Sequence, residues 1–124
     1  MERKNFKITA SLKEGYARGA KRHKIGSAEK AIADWMKSRI RSGEPVLSGL
    51  LYEGKLLFPA KEKQAGIVTI EPTAVFEGEL SSSEDIKRGN KEVKETLVSL
   101  ATVLKVKLNQ ESVFISYRNE HWYV

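Results

Sequence analysis

Apolar residues recur at helical spacing in two separate stretches, 28–42 and about 90–109, while the other patterned segments alternate with period two. That mixture excludes an all-helical bundle and an all-β sandwich, and points to helices packed on a sheet. In the first stretch Ala28, Ala31, Ile32, Trp35, Met36 and Ile40 form one stripe, which places Trp35 and Met36 in the core. Ser27 stands where an N-cap belongs, Gly43 where a C′ glycine belongs, and Pro45 follows. The second stripe is Val93, Leu97, Leu100, Ala101, Leu104 and Leu108. It is entered through Ser81-Ser82-Ser83-Glu84-Asp85, where Ser81 with Glu84, and Ser82 with Asp85, have capping-box spacing. Gly89-Asn90 breaks that first turn or restarts the helix.

The strands follow from alternation. Phe6, Ile8, Ala10 and Leu12 share one face of a half-buried strand, with Lys7, Thr9 and Ser11 on the other. Residues 46–60 read as two short strands about a tight turn at Glu53-Gly54. Residues 61–66 read as a polar loop and 67–70 as a short strand. Pro72 is then expected to bend or restart the sheet before a strand over 74–80. Val113–Tyr117 is a further strand, and His121–Val124 pairs back on it as a terminal one. The order predicts a single α+β domain spanning 1–124, a ferredoxin-like two-layer sandwich. Its β-α-β-β-α-β core carries extra hairpin strands, and both helices lie on one face of a mostly antiparallel sheet. That fold serves many unrelated functions and names none.

Composition removes several classes. The chain has 124 residues, 40% apolar and 31% charged, outside the disordered range. With no cysteine there is no disulfide scaffold, thiolate zinc site or cysteine nucleophile. His23 and His121 lie far apart, so no His-rich metal site is expected, and no cofactor either. The longest apolar runs are a few residues, too short to span a membrane, and no apolar run follows the charges at the N-terminus as in a signal peptide. A cytoplasmic setting is the expectation.

The net charge of +6 is segregated. Residues 1–26 carry eight Lys and Arg against two Glu, and the other 98 residues balance at 14 of each sign. Residues 13–26, with three glycines and no apolar period, read as a long loop rich in Lys13, Arg18, Lys21, Arg22 and Lys24. It leads into a helix start, where free amides and the helix dipole favour an anion. Those five residues and Ser27 are therefore the candidate site for a phosphate, a carboxylate or nucleic acid. A solvated basic loop is the plain alternative. The spacing is no P-loop, since Gly15 and Gly19 are four apart and Ala20 intervenes before Lys21. No G-x-G-x-x-G occurs, and no aromatic stands on the exposed face of the first strand as RNA-recognition sheets require.

Three lesser features remain. Lys7 against Glu77 and Glu79 reads as cross-strand pairing on a wet sheet face, or as a dimer platform. Glu53, Glu71, Glu77 and Glu79 invite an acid/base reading, but no histidine or nucleophile is placed beside them by motif. Trp122 and Tyr123 near the end imply a docked terminus that completes this chain's sheet or offers an edge to a second subunit. The first functional reading is thus a non-catalytic module contacting an anionic partner through 13–26, and the sequence leans away from an enzyme. The alternatives are a homo-oligomeric interaction module, and a small enzyme or metabolite-binding protein with loop 13–26 as a lid.

Overall fold

The computed structural model describes residues 3–15, 19–60 and 66–124. Its elements are β1 (Asn5–Ser11), α1 (Ile25–Ser42), β2 (Leu50–Pro59), β3 (Val68–Glu79), α2 (Asn90–Lys107), β4 (Phe114–Tyr117) and β5 (Glu120–Tyr123). One sheet runs β2-β3-β1-β4-β5 with every pairing antiparallel. Each helix carries the chain past a neighbouring strand: α1 from β1 to β2, α2 from β3 to β4. These interleaved crossovers are the ferredoxin-like β-α-β-β-α-β core, and β5 extends it by a terminal hairpin.

The period-two and period-3.6 stripes meet in one core. Phe6, Ile8, Ala10 and Leu12 from β1 and its end pack with Ala31, Ile32 and Trp35 of α1 and with Val93, Leu97, Leu100 and Leu104 of α2. Polar atoms carried into this layer are satisfied: Trp35 Nε1 donates to Ser99 Oγ at 3.0 Å, and the Tyr117 hydroxyl to Asn90 Oδ1 at 2.7 Å. Among the described residues no helix is long and apolar enough to cross a membrane.

Four local expectations change. The first helix begins at Ile25 with Lys24 at the N-cap, so Ser27 lies inside the first turn and its side chain caps nothing. The Ser82 hydroxyl accepts from the Asp85 amide at 3.1 Å, but it caps a short 3-10 turn at Asp85–Lys87, and α2 restarts after Gly89. Glu53-Gly54 is no turn, because β2 runs unbroken through it with Gly54 opposite Thr73. Pro72 does not break β3. Its carbonyl accepts from Leu12 N at 2.9 Å, so its ring nitrogen faces the side where β1 ends. A missing N–H there removes no bond from the ladder to β2. Most of the 61–66 loop, residues 61–65, lies outside the described residues.

Candidate functional site

The helices cover one face of the sheet. On the open face, alternation sets Lys7, Thr9 and Ser11 of β1 beside Glu77, Val75, Thr73 and Glu71 of β3, with Tyr52, Gly54 and Leu56 of β2 beyond them. The expected cross-strand pairing is there: Lys7 is opposite Glu77, with Nζ and Oε2 4.0 Å apart. Both side chains are well exposed, so the pair adds little.

Glu71 differs from the other carboxylates. It is only 7% exposed, although it stands on the open face and on the part of β3 that outruns β1. Lys13 reaches it from the segment after β1, with Nζ 3.6 Å from Oε1 and little of either side chain exposed. The second oxygen, Oε2, is buried with no hydrogen-bond partner among the described residues. An acceptor left in that condition costs about 1–3 kcal/mol, and more when charged. A ligand group that donates to Oε2, or carries positive charge against it, would remove that cost. Thr73, also buried on this face, turns its hydroxyl toward the Glu71 carbonyl at 3.4 Å.

The segment that brings Lys13 here is a narrow neck. Lys13 and Arg22 form an antiparallel bridge, Glu14 N donates to Lys21 O at 2.8 Å, and His23 N to Leu12 O at 2.6 Å. Residues just after α2 pin the neck. Asn109 Nδ2 donates to Glu14 Oε1 at 2.6 Å, and Gln110 Nε2 to Lys13 O at 3.0 Å. Glu14 Oε2 is 2.7 Å from His23 Nε2. The Asn109 hydrogen bond, helped by His23, holds the Glu14 carboxyl below the usual carboxylate range.

The six residues singled out from sequence separate. Lys13 is turned in to Glu71, while Lys21, Arg22 and Lys24 are exposed. Ser27 is exposed, and its amide already donates to Lys24 O at 2.9 Å. Arg18 lies outside the described residues. Among the described residues no group of three or more His, Asp or Glu is placed to hold a metal ion. Sequence reasoning listed Glu71 without distinguishing it and took Gly54 for a turn. The available signal was a lone carboxylate between Ile70 and Pro72, in a run otherwise apolar or β-branched.

No known protein family matches the chain by sequence, and no curated protein does. Solved structures do match by shape. A phage SAM lyase in complex with S-methyl-5'-thioadenosine superposes with a TM-score of 0.66 at 15% identity, over 99% of this chain and 89% of that one. A phage SAM lyase in the apo state gives 0.62 at 16% identity, over 97% and 86%. The likeness carries the ferredoxin-like fold across the chain. It also overturns the reading of a non-catalytic module that contacts an anionic partner through 13–26, because both of these structures are of an enzyme, one of them with a small nucleoside ligand.

Proposed function

We propose that this chain is a small-molecule enzyme of the SAM-lyase kind. Its substrate is S-adenosylmethionine, cleaved at the open sheet face around Glu71, beside the neck that carries Lys13. The reaction breaks the bond between the sulfonium sulfur and the methionine-derived chain. The substrate's own carboxylate oxygen takes the vacated position on carbon, closing a lactone, while the electron pair of the broken bond goes to sulfur, which leaves as the neutral thioether of S-methyl-5'-thioadenosine. The shape match to SAM lyase supports the choice of chemistry. The observation that carries the site is the buried, unpartnered Oε2 of Glu71.

The charge logic is specific. A sulfonium has no N–H or O–H to donate, so only a lone-pair-bearing oxygen or an aromatic face can recognise its charge. Glu71 Oε2 supplies such an oxygen where water is largely excluded. The attraction is strongest in the ground state and disappears when sulfur becomes neutral, so Glu71 binds substrate and releases product more than it lowers the barrier. Acceleration then falls to holding the methionine-derived chain in a reactive conformer away from water. The basic residues of the loop, Lys21 and Arg22 among them, suit the substrate carboxylate. An intracellular substrate also supports a cytoplasmic setting.

Glu71→Gln tests this reading by calorimetry and by chromatography of the thionucleoside product. Affinity for S-adenosylmethionine is expected to fall roughly tenfold to a hundredfold, the scale of one charge-assisted contact. Affinity for the neutral product is expected to change by less than about threefold, under half of one such contact. Wild-type protein that neither binds these molecules nor releases the product overturns the reading.

We also infer that identical copies of the chain associate through the β2–β3 ribbon. Leu56, Leu57, Ile67, Val68 and Ile70 are each more than half exposed and lie at the end of the hairpin that outruns β1. A two-stranded ribbon is marginal in water by itself, and the outer edge of β2 is unpaired in the sheet order. A second copy is the occupant because Leu56, which directly opposes Glu71, carries the ribbon's apolar surface round from the helix side onto the face of that carboxylate. At the other end of the sheet, Val124 exchanges both backbone bonds with Val113, so the C-terminus completes this chain's own sheet.

A further inference from the structure

Gly54 has no internal reason to be glycine. It sits in mid-strand opposite Thr73, and its φ is outside the left-handed region that favours glycine. A Cβ built on it would meet only Val75 Cγ2, at 3.8 Å, an ordinary contact. Gly49 and Gly78 are different: a Cβ at either would come within 2.7 Å and 2.6 Å of a backbone oxygen. A glycine in a strand interior weakens the strand, and its usual use is to let a ligand or another backbone approach. The missing side chain leaves a gap on the open face between Tyr52 and Leu56, floored by the Gly54 backbone and flanked on β3 by Thr73 and Val75. The gap is diagonal to Glu71, and diagonal neighbours in an antiparallel pair stand about 7–8 Å apart. That separation is close to the reach of a sugar ring. The bare backbone and the orphaned carboxylate oxygen are thus two independent features of one sheet face, one flat and one charged.

We propose that the gap over Gly54 is the base subsite: the adenine ring lies on the Gly54 backbone between Tyr52 and Leu56, and the ribose spans to Glu71. This deepens the SAM-lyase reading and rests on it. The two sites divide the ligand. Glu71 reads the positive charge, which only the substrate carries. Gly54 admits the planar base, which substrate and product share.

That division supplies the test. Gly54→Val and Gly54→Ala are titrated by calorimetry with S-adenosylmethionine and with S-methyl-5'-thioadenosine. Valine is expected to weaken both ligands by the same factor, roughly tenfold or more, and alanine by about threefold. Glu71→Gln, in contrast, separates the two ligands. Thermal unfolding controls for folding: valine fits a strand better than glycine, so Tm is expected to hold or rise while binding falls. Wild-type affinity for both ligands in Gly54→Val overturns the base subsite and leaves the SAM-lyase reading standing. If wild type binds neither ligand, both fall together. Binding that is lost only because Gly54→Val changes the sedimenting species assigns the glycine to a contact between copies and overturns the subsite.

Discussion

Arg88 ties the entry of α2 to the start of the β2 arm. Its Nη1 donates to Val46 O at 2.7 Å, and its Nε and Nη2 clamp the two oxygens of Glu92 at 2.7 Å each. Thr96 Oγ1 adds a third donor to Glu92 at 2.9 Å. The Arg88 guanidinium, with Thr96 behind it, holds the Glu92 carboxyl below the usual carboxylate range. The folded state therefore favours the ionised form. The stability this contributes is complete above the unfolded pKa and is lost as pH falls through the lower folded one. Glu92→Gln is expected to cost about 1–2 kcal/mol at neutral pH, a charge-assisted pair discounted for partial exposure. The gap to wild type should close as the buffer is taken from pH 7 to pH 3, which urea titrations at both ends would read; a gap that stays constant refutes the account. The same scale shows why Glu71 was not legible in the sequence. Period-two patterning sets a carboxylate on a face, but it does not say that a segment nearly sixty residues away folds over it. Lys13 and the neck anchored by Asn109 and Gln110 make that cover through long-range contacts.

Helices and strands were legible where one face is buried and the other wet, as in β1 and both helices. They were misread where turn chemistry and proline were taken at face value. Glu53-Gly54 has the composition of a tight turn, yet ten residues of β2 pair in register with β3 through that point. Continuous ladder bonds outweigh the local preference of one glycine. Pro72 was read as a break because a central strand needs its N–H groups. It sits instead just past the end of β1, opposite Leu12, whose carbonyl already accepts from His23 N, so the missing donor leaves no acceptor unpaired. Pro72→Ala therefore gains no hydrogen bond of consequence and only loosens the unfolded chain. The expected change is a loss of at most about 1 kcal/mol, measured by thermal or urea unfolding. A gain in stability would mean that the proline strains β3, contrary to this account.

At the scale of the whole molecule, the element order gave the right architecture because interleaved crossovers are almost the only way to bury two helices on one sheet with these connections. What the order does not fix is how the open face and the outrunning ribbon are covered. Leu57 and Ile70 face each other across β2 and β3 on the helix side, beyond the last residue pair with β1, and both remain exposed. Leaving the exposed half of these side chains in water is unfavourable by roughly 1–1.5 kcal/mol each, so mass action should favour copies that cover one another. The chain then has two opposed whole-molecule terms. Apolar burial draws copies together, while the net charge of +6 pushes them apart. Sedimentation should accordingly show a species heavier than the 14.0 kDa chain, favoured by rising salt as the repulsion is screened. Its Tm should rise with protein concentration, because only the associated form hides the ribbon. The paired change Leu57→Glu with Ile70→Glu should abolish both the heavier species and the concentration dependence, while leaving the helical signal of α1 and α2 in place. A wild-type chain that sediments at 14.0 kDa at every concentration and salt would refute the assembly. The site at Glu71 would then have to be complete within one copy.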